Sequence, residues 1–191
     1  MIIFFDIETI SDWDYKEKYI EQYWEKVNFL PELNKILTIC VWTETKEWII
    51  VKNLEWDEKT QIIWFFNTIK WNKLSWFNIK KFDIPFIIKR ALYYQLEIPN
   101  DLKIYWKKPW EIDNVIDLQE IYNYWIFWAI WNLDLICNFI WITSPKSWNI
   151  DWSQVQEFYN NWKWNEIIDY CKRDVIATIE LYNYFNKYNL I

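Results

Sequence analysis

The spacing of apolar and polar residues divides the chain into predicted strands and helices. Apolar runs of strand-like composition occupy residues 1–8, 35–41 and 48–52. The polar segments between them predict an antiparallel meander of three strands. Apolar residues recur at helical spacing in residues 57–69 and 165–187, which predicts two amphipathic helices. The chain therefore begins with strands and ends with helices.

The middle of the chain contains shorter segments that are predicted to be helices and strands. Asp83 and Pro85 suit the first turn of a helix that runs to about residue 95. A short helix is expected over residues 132–140 with its larger apolar side chains inward, namely Leu133, Leu135, Ile136 and Phe139. The remaining expectations are a loop or short helix over 12–26, short strands over 73–77, 102–105 and 114–117, a helix over 118–124 capped by Asp117, and a helix after the capping-box pattern of 153–156.

This mixed order of strands and helices predicts an α/β domain with a mixed sheet. The chain has 191 residues and shows no break in composition, so we expect a single domain over residues 1–191. A chain of that size can bury a sizeable core without disulfides or structural metals. We therefore expect packing rather than covalent cross-links to hold the fold.

The net charge and the cysteine content limit the partners and the cellular location that we expect for the protein. The net charge of −6 argues against a generally basic coat for nucleic acid, although a local basic track remains open. Three cysteines stand far apart without a Cys-x-x-Cys motif, which predicts reduced thiols in a cytoplasmic protein. No apolar stretch approaches the ~20 residues that span a bilayer. Because Asp6 and Glu8 interrupt the N-terminal apolar run, we also expect no signal peptide.

The composition has one anomaly, which is the absence of glycine and histidine beside 18 tryptophans. Several tryptophans stand between polar neighbours at turns where glycine is usual: Trp56, Trp71, Trp148, Trp152, Trp162 and Trp164. A bulky aromatic residue is poorly suited to a positive φ angle. We therefore hypothesise that most tryptophans replace ancestral glycines. The alternative is an aromatic stacking surface for single-stranded nucleic acid, but the tryptophans follow the turns rather than one face.

Two acidic residues close the first predicted strand. Side chains alternate between the faces of a strand, so Asp6 and Glu8 point the same way. Two carboxylates this close repel one another, and a divalent cation between them would remove the repulsion. The alternative is that both residues merely end an edge strand in solvent.

Two further sites carry acids at suggestive positions. Asp83 follows Asn78 at a predicted strand-to-helix junction, which is where α/β sheets commonly bind ligands. Tyr170 and Asp174 are four residues apart, so they project from one face of the C-terminal helix. The alternatives are that Asp83 only caps its helix and that Tyr170 and Asp174 belong to a solvated helix face.

Taken together, the three sites resemble the three exonuclease motifs of the DEDD superfamily in its tyrosine-bearing subclass. The order and spacing of Asp6-x-Glu8, of Asn78 to Asp83 and of Tyr170-x-x-x-Asp174 match those motifs. Further segments look like the predicted 3′–5′ exonuclease family related to the proofreading domain of family B DNA polymerases: residues 4–9, 77–90, 142–146, 151–154 and 170–178. The resemblance implies a ribonuclease-H-like fold, with a mixed sheet of about five strands flanked by helices. The sequence departs from the family at Trp76 and Trp152, where glycine is common, and at Phe77, where histidine is frequent.

The resemblance also implies a reaction and the residues that carry it. Asp6, Glu8, Asp83 and Asp174 would hold two divalent metal ions, Mg²⁺ or Mn²⁺, and Tyr170 would orient the attacking water. The substrate would be the 3′ end of single-stranded nucleic acid, with DNA expected and RNA as the alternative, and nucleoside 5′-monophosphates would be released. A binding module or an inert scaffold without catalysis is the remaining alternative. Candidate substrate-binding residues are Thr9, Phe77, Asn78, Lys80, Lys81 and Phe82; ordinary solvation of the lysines and a core position for Phe77 are the alternatives.

Overall fold

The computed structural model describes residues 1–11, 19, 30–44, 49–53, 57–104, 107, 112–124, 132–146 and 154–191. Within these ranges, five strands form one mixed sheet. The strands are β1 (Ile2–Ser11), β2 (Asn34–Glu44), β3 (Ile49–Asn53), β4 (Lys73–Trp76) and β5 (Val115–Asp117). Their order across the sheet is β3-β2-β1-β4-β5, which places β1 in the centre. The predicted α/β class with a mixed five-stranded sheet is confirmed.

Pairing within the sheet changes direction at β1. The strands β1, β2 and β3 form the predicted antiparallel meander, while β4 and β5 run parallel to β1. Parallel neighbours need a crossover connection, and helices provide it here. The helices are α1 (Glu58–Ile69), α2 (Asp83–Tyr93), α3 (Leu118–Asn123), α4 (Leu133–Phe139), α5 (Val155–Asn160) and α6 (Trp164–Lys187).

Two local predictions fail where short-range hydrogen bonds or packing decide the outcome. The expected strand over 102–105 is wrong for its described part, because a 3₁₀ turn spans Asn100–Leu102 and Lys103 N–H bonds back to Asn100. In α4, Ile136 and Cys137 are buried, whereas Leu135 and Phe139 are exposed. A seven-residue helix offers two apolar faces, and the sequence pattern did not distinguish them. Apart from Tyr19, the predicted segment 12–26 lies outside the described residues.

The central strand β1 is buried on both faces by different helices. Phe5 packs against Phe65 of α1 with ring centroids 4.6 Å apart. Phe4 points the other way and contacts Tyr182 of α6, with ring centroids 5.2 Å apart. Burial of each Phe side chain contributes about 1.5–3 kcal/mol. Because Asp6 and Glu8 share the face of Phe4, the packing of α6 on that face carries its side chains toward the two acids.

Three helices end in an exposed tryptophan with a left-handed backbone. Trp71, Trp141 and Trp162 follow α1, α4 and α5 with φ angles of 66°, 64° and 59°. Their exposed fractions are 95%, 94% and 80%. After α4 and α5, the backbone N–H of the residue that follows the tryptophan bonds to the carbonyl of the third-last helical residue. This is the Schellman motif, in which glycine is the usual residue at the left-handed position. The geometry supports the hypothesis that these tryptophans occupy glycine positions. Trp164 does not fit it, because this residue begins α6 and its φ angle is not positive. Trp56, Trp148 and Trp152 lie outside the described residues.

Among the described residues, no helix combines the length and the apolar character that a membrane crossing requires.

Candidate active site

The first acidic pair lies in the middle of the sheet. Asp6 and Glu8 are only 7% and 6% exposed, because β1 has neighbours on both sides and α6 covers the face from which they project. Asp6 pairs with Cys40 and Glu8 pairs with Thr38 of β2, and the register shifts between Glu8 and Thr9. The alternative of an edge strand ending in solvent is therefore wrong.

Asp83 is the first residue of α2 and is 1% exposed. The cap of α2 is Phe82, which makes no side-chain capping bond, so the interpretation of Asp83 as a helix cap is wrong. The Oδ1 atom of Asp83 is buried and has no hydrogen-bond partner among the described residues. A buried acceptor of this kind is costly unless a ligand or ion satisfies it.

Tyr170 and Asp174 lie on the face of α6 that is turned toward β1. The Tyr170 side chain is buried against Ile10, Val155 and Ile167. Its hydroxyl donates a hydrogen bond to Asp174. The negative charges of Asp6 and Glu8 disfavour the ionised form of this hydroxyl. The alternative of a purely solvated helix face is therefore wrong for Tyr170. Burial and these carboxylates raise the pKa of the hydroxyl well above its ordinary value, so Tyr170 stays protonated at neutral pH.

The four carboxyl groups form one electrostatic cluster. Burial raises the pKa of Asp6 well above its usual range, and repulsion from Glu8, Asp174 and Asp83 raises it further. Burial and repulsion from Asp174 raise the pKa of Glu8, although a hydrogen bond from Asp6 lowers it in part. Burial also raises the pKa of Asp83, with repulsion from Asp117 and Asp174 added. Among the described residues, the main causes that raise these pKa values are burial and neighbouring acidic groups, so the cluster is poised to bind a cation.

A thiol lies directly beside the acids. The Sγ atom of Cys171 and one oxygen each of Asp6 and Glu8 lie within 4.8 Å of one another. Burial raises the pKa of Cys171, and the thiol lies 3.6 Å from the backbone carbonyl of Asp6. Mg²⁺ and Mn²⁺ prefer oxygen ligands. We therefore regard Cys171 as a neutral packing contact beneath the acids rather than as a ligand for such ions.

An open cleft of about 420 Å³ leads to the cluster. Asp6, Glu8, Tyr170 and Asp174 line it. Of the predicted substrate-binding residues, four also line it: Thr9, Phe77, Asn78 and Phe82. Phe77 is at the same time part of a buried cluster with Leu118, Ile136, Leu181 and Phe185, so its core interpretation also holds.

The two predicted basic residues are not among the lining side chains. Lys80 forms a 2.8 Å ion pair with Glu120, and Lys81 is exposed. Instead Lys146 lines the cleft, together with Asn132, Asp134 and Gln156. The signal that could have identified Lys146 is its position at the end of the family-like segment 142–146. Gln156 carried no comparable signal, since it reaches the site by accepting a 2.8 Å bond from the Ser11 N–H at the end of β1.

Comparison with known families adds one decisive match. Residues 27–190 match the model of a family described as predicted 3′–5′ exonuclease related to the exonuclease domain of PolB. The chain belongs to this family. The matched range includes Asp83, Tyr170 and Asp174 and begins after Asp6 and Glu8, so the place of the first acidic pair in this PolB-related site rests on geometry.

A solved structure shows the same fold in a much longer chain. The PolB-related domain is similar to the family B DNA polymerase from the hyperthermophilic archaeon Pyrobaculum calidifontis, with a TM-score of 0.70 and 17% sequence identity. The match covers 99% of this chain and 25% of the polymerase, so the chain spans about a quarter of the length of that relative. No curated protein matches the sequence at a significant level. At this identity the likeness establishes the fold alone.

Proposed function

We propose that this PolB-related domain is a metal-dependent 3′–5′ exonuclease that removes nucleoside 5′-monophosphates from the 3′ end of single-stranded DNA. The observation that carries the proposal is the buried cluster of Asp6, Glu8, Asp83 and Asp174, of which Asp6, Glu8 and Asp174 line an open cleft. Family membership supports the reaction class. We propose further that residues 1–191 act as one exonuclease domain.

The donor set fits hard divalent cations. Asp83 Oδ1 is a buried oxygen without a partner among the described residues, and it belongs to a cluster of carboxylates. Mg²⁺ and Mn²⁺ bind such oxygens. Asp6, Glu8, Asp83 and Asp174 would hold two of these ions. When bound, the ions would supply a water of lowered pKa and would offset negative charge at the phosphate.

Protein side chains perform the remaining tasks. The Tyr170 hydroxyl donates to Asp174 and its pKa is raised in the metal-free protein, so we assign it the role of orienting a water. Phe82 and Phe77 line the cleft and can stack on the terminal base. Asn78 and Thr9 add polar groups, and Lys146 adds a positive charge for a phosphate. Lys80 and Lys81 would act outside the cleft, along the bound strand.

The direct test uses one oligonucleotide carrying a label at its 3′ end or at its 5′ end, with Mg²⁺ or Mn²⁺ present. We expect immediate release of a labelled mononucleotide from the 3′-labelled strand and a ladder of shortened products from the 5′-labelled strand. Asp83→Ala should abolish both. Asp169→Ala is the matched control, because Asp169 is an exposed acid on α6 next to Tyr170. Equal activity of Asp83→Ala and the unmodified chain, or activity in excess EDTA, would contradict the proposal.

The choice between DNA and RNA needs a separate comparison. DNA and RNA differ at the 2′-hydroxyl, which a protein can contact through polar groups. Oligonucleotides of identical sequence, one DNA and one RNA, should be compared under the same conditions. Faster degradation of DNA supports the proposal, whereas faster degradation of RNA assigns the same site to an exoribonuclease.

A further inference from the structure

Asp117, the last residue of β5, makes more hydrogen bonds than a helix cap requires. Its Oδ1 atom accepts bonds from the backbone N–H groups of Gln119 and Glu120, at 3.0 and 3.3 Å, which caps α3. The same oxygen accepts a 3.1 Å bond from the Asn78 N–H, and Oδ2 accepts a 3.1 Å bond from the Lys80 N–H. Asp117 is 2% exposed. One buried carboxylate therefore joins two segments that are about forty residues apart in the chain.

The segment held in this way is the connection from β4 to α2, residues 77–82. It carries Asn78 and Phe82 into the cleft and leads directly to Asp83. Asn78 has a φ angle of 65°, a left-handed conformation that asparagine adopts more readily than other residues except glycine and that gives the turn its shape. The bonds from Asp117 to the two N–H groups are the contacts that fix this turn from outside. Within it, the Asn78 carbonyl accepts from the N–H groups of Lys81 and Phe82.

A second bond ties the same turn to the same helix. Lys80 Nζ forms a 2.8 Å ion pair with Glu120, in the first turn of α3. Trp76 and Asp117 are directly paired between the parallel strands β4 and β5, so the two strand ends deliver the turn and its anchor side by side. The sheet edge, the turn and α3 thus form one rigid unit under the cleft.

We propose that Asp117 is a positioning residue that sets the Asn78–Phe82 turn, and through it Asp83, for binding of metal and substrate; this role rests on the exonuclease function proposed above. A helix cap alone would need only the bonds to Gln119 and Glu120. The bonds to Asn78 and Lys80 do nothing for the cap, and they act on the segment that lines the cleft. Comparable supporting bonds around metal ligands change metal affinity or activity by about 10- to 100-fold.

Asp117→Asn keeps the helix cap, but it removes the bond from Lys80 and one negative charge near Asp83. The asparagine side-chain oxygen can still accept from Gln119 and Glu120, and asparagine is as good a helix cap as aspartate. Its amide group, however, would face the Lys80 N–H with a second donor, so the bond from Lys80 is lost, while the oxygen that caps the helix can still accept from the Asn78 N–H. Asp57→Asn is the matched control. Asp57 caps α1 through the Thr60 N–H at 3.1 Å, and it does not line the cleft.

The measurements are kcat and KM on a single-stranded DNA oligonucleotide, the Mn²⁺ dissociation constant by electron paramagnetic resonance, and the melting temperature. For Asp117→Asn we expect kcat/KM to fall by about tenfold or more and Mn²⁺ binding to weaken in parallel, at temperatures where the variant is fully folded. Asp57→Asn should leave kcat/KM and Mn²⁺ affinity unchanged. If Asp117 served only as a helix cap, kcat/KM and Mn²⁺ affinity of folded Asp117→Asn would equal those of the parent chain, and its melting temperature would change little.

Glu120→Gln keeps the experiment decisive if Asp117→Asn does not fold. It removes only the ion pair with Lys80, and we expect a smaller loss of Mn²⁺ affinity and kcat/KM in the same direction. Unaltered Mn²⁺ affinity and kcat/KM in the folded variants, beside an active parent chain, would overturn the role of Asp117 alone. An inactive parent chain that binds no Mn²⁺ would instead overturn the exonuclease proposal and this role with it.

Discussion

The Tyr170 hydroxyl donates a hydrogen bond to Asp174, one helical turn further along α6. Burial and the neighbouring carboxylates keep Tyr170 protonated, so the bond has a fixed direction across neutral pH. A protonated tyrosine at this place can orient a water through its hydroxyl. The same helix face therefore supplies one carboxylate and one hydroxyl group to the cleft.

Tyr170→Phe should lower kcat without unfolding the protein. The ring remains packed against Ile10 and Ile167, so the free energy of unfolding should change by only about 0.5–1.5 kcal/mol, the net contribution of one hydrogen bond. We expect kcat on a DNA oligonucleotide to fall by about tenfold to hundredfold and KM to change little. The control is Tyr184→Phe, further along α6 and outside the cleft lining. A full-rate Tyr170→Phe enzyme would show that the hydroxyl has no part in the reaction.

Metal-free protein should lose stability as the pH rises. The pKa values of Asp6, Glu8 and Asp83 are raised in the folded state, so the native protein binds more protons than the unfolded chain. This contribution to stability is fully present below the ordinary carboxyl pKa of about 4 and is lost as the pH rises through the raised values. Urea unfolding in EDTA should therefore give a higher free energy of unfolding at about pH 5 than at about pH 8, relative to the double variant Asp6→Asn, Glu8→Gln. The same pH slope in both proteins would contradict this account of the cluster.

Two adjacent residues of α2 should differ greatly in their contribution to stability. Arg90 forms a 2.6 Å ion pair with Glu58 in which both side chains are 5% exposed, and Glu58 also accepts bonds from Ile36 N–H and the Tyr94 hydroxyl. Breaking a buried pair on one side costs about 3–5 kcal/mol. Lys89 forms a 2.7 Å ion pair with Glu32, but both side chains are at least half exposed.

Arg90→Met should therefore lower the free energy of unfolding by about 3–5 kcal/mol, and Lys89→Met by less than about 1 kcal/mol. Denaturant titration of both variants checks the difference. Similar losses in the two variants would show that burial does not set the contribution of these pairs.

The tryptophans at helix ends should behave differently from those in the core. Trp141→Gly and Trp162→Gly relieve a left-handed backbone at exposed positions, and each should stabilise the protein by about 1 kcal/mol. Trp42 is 8% exposed and packs edge-on against Phe4, with ring centroids 5.4 Å apart. Trp42→Gly should destabilise by about 3–5 kcal/mol or more. Melting temperatures of the three variants test this contrast. Lower melting temperatures for Trp141→Gly and Trp162→Gly would contradict the hypothesis that these two tryptophans occupy positions suited to glycine.

Local patterns predicted the elements but not their convergence. The two-residue period of a strand places Asp6 and Glu8 on one face, and the four-residue spacing places Tyr170 and Asp174 on one helix face. Neither spacing predicts that the strand face and the helix face contact each other. That contact depends on α6 packing against β1, which only the resemblance to a known family implied in advance.

Other site features depend on contacts between distant segments. Lys80 carried the right charge at the right motif, but its partner Glu120 is forty residues away and turns it toward α3. Gln156 approaches the cleft because it bonds to Ser11, across 145 residues. Asp117 was read correctly as a helix cap, while its bonds to Asn78 and Lys80 depend on the parallel pairing of β4 with β5. Periodicity within a single element contains no information about such contacts.

A crystal structure of the protein soaked in Mn²⁺, with anomalous diffraction data, shows directly whether the four carboxylates bind metal. We expect anomalous peaks at the cleft within about 2.5 Å of carboxylate oxygens, with Asp83 Oδ1 among the ligands together with Asp6, Glu8 and Asp174. An Asp83→Ala crystal treated in the same way should lose at least one peak. A cleft without an anomalous peak at saturating Mn²⁺, or a peak that persists unchanged in Asp83→Ala, would contradict the claim that these four carboxylates form a metal site.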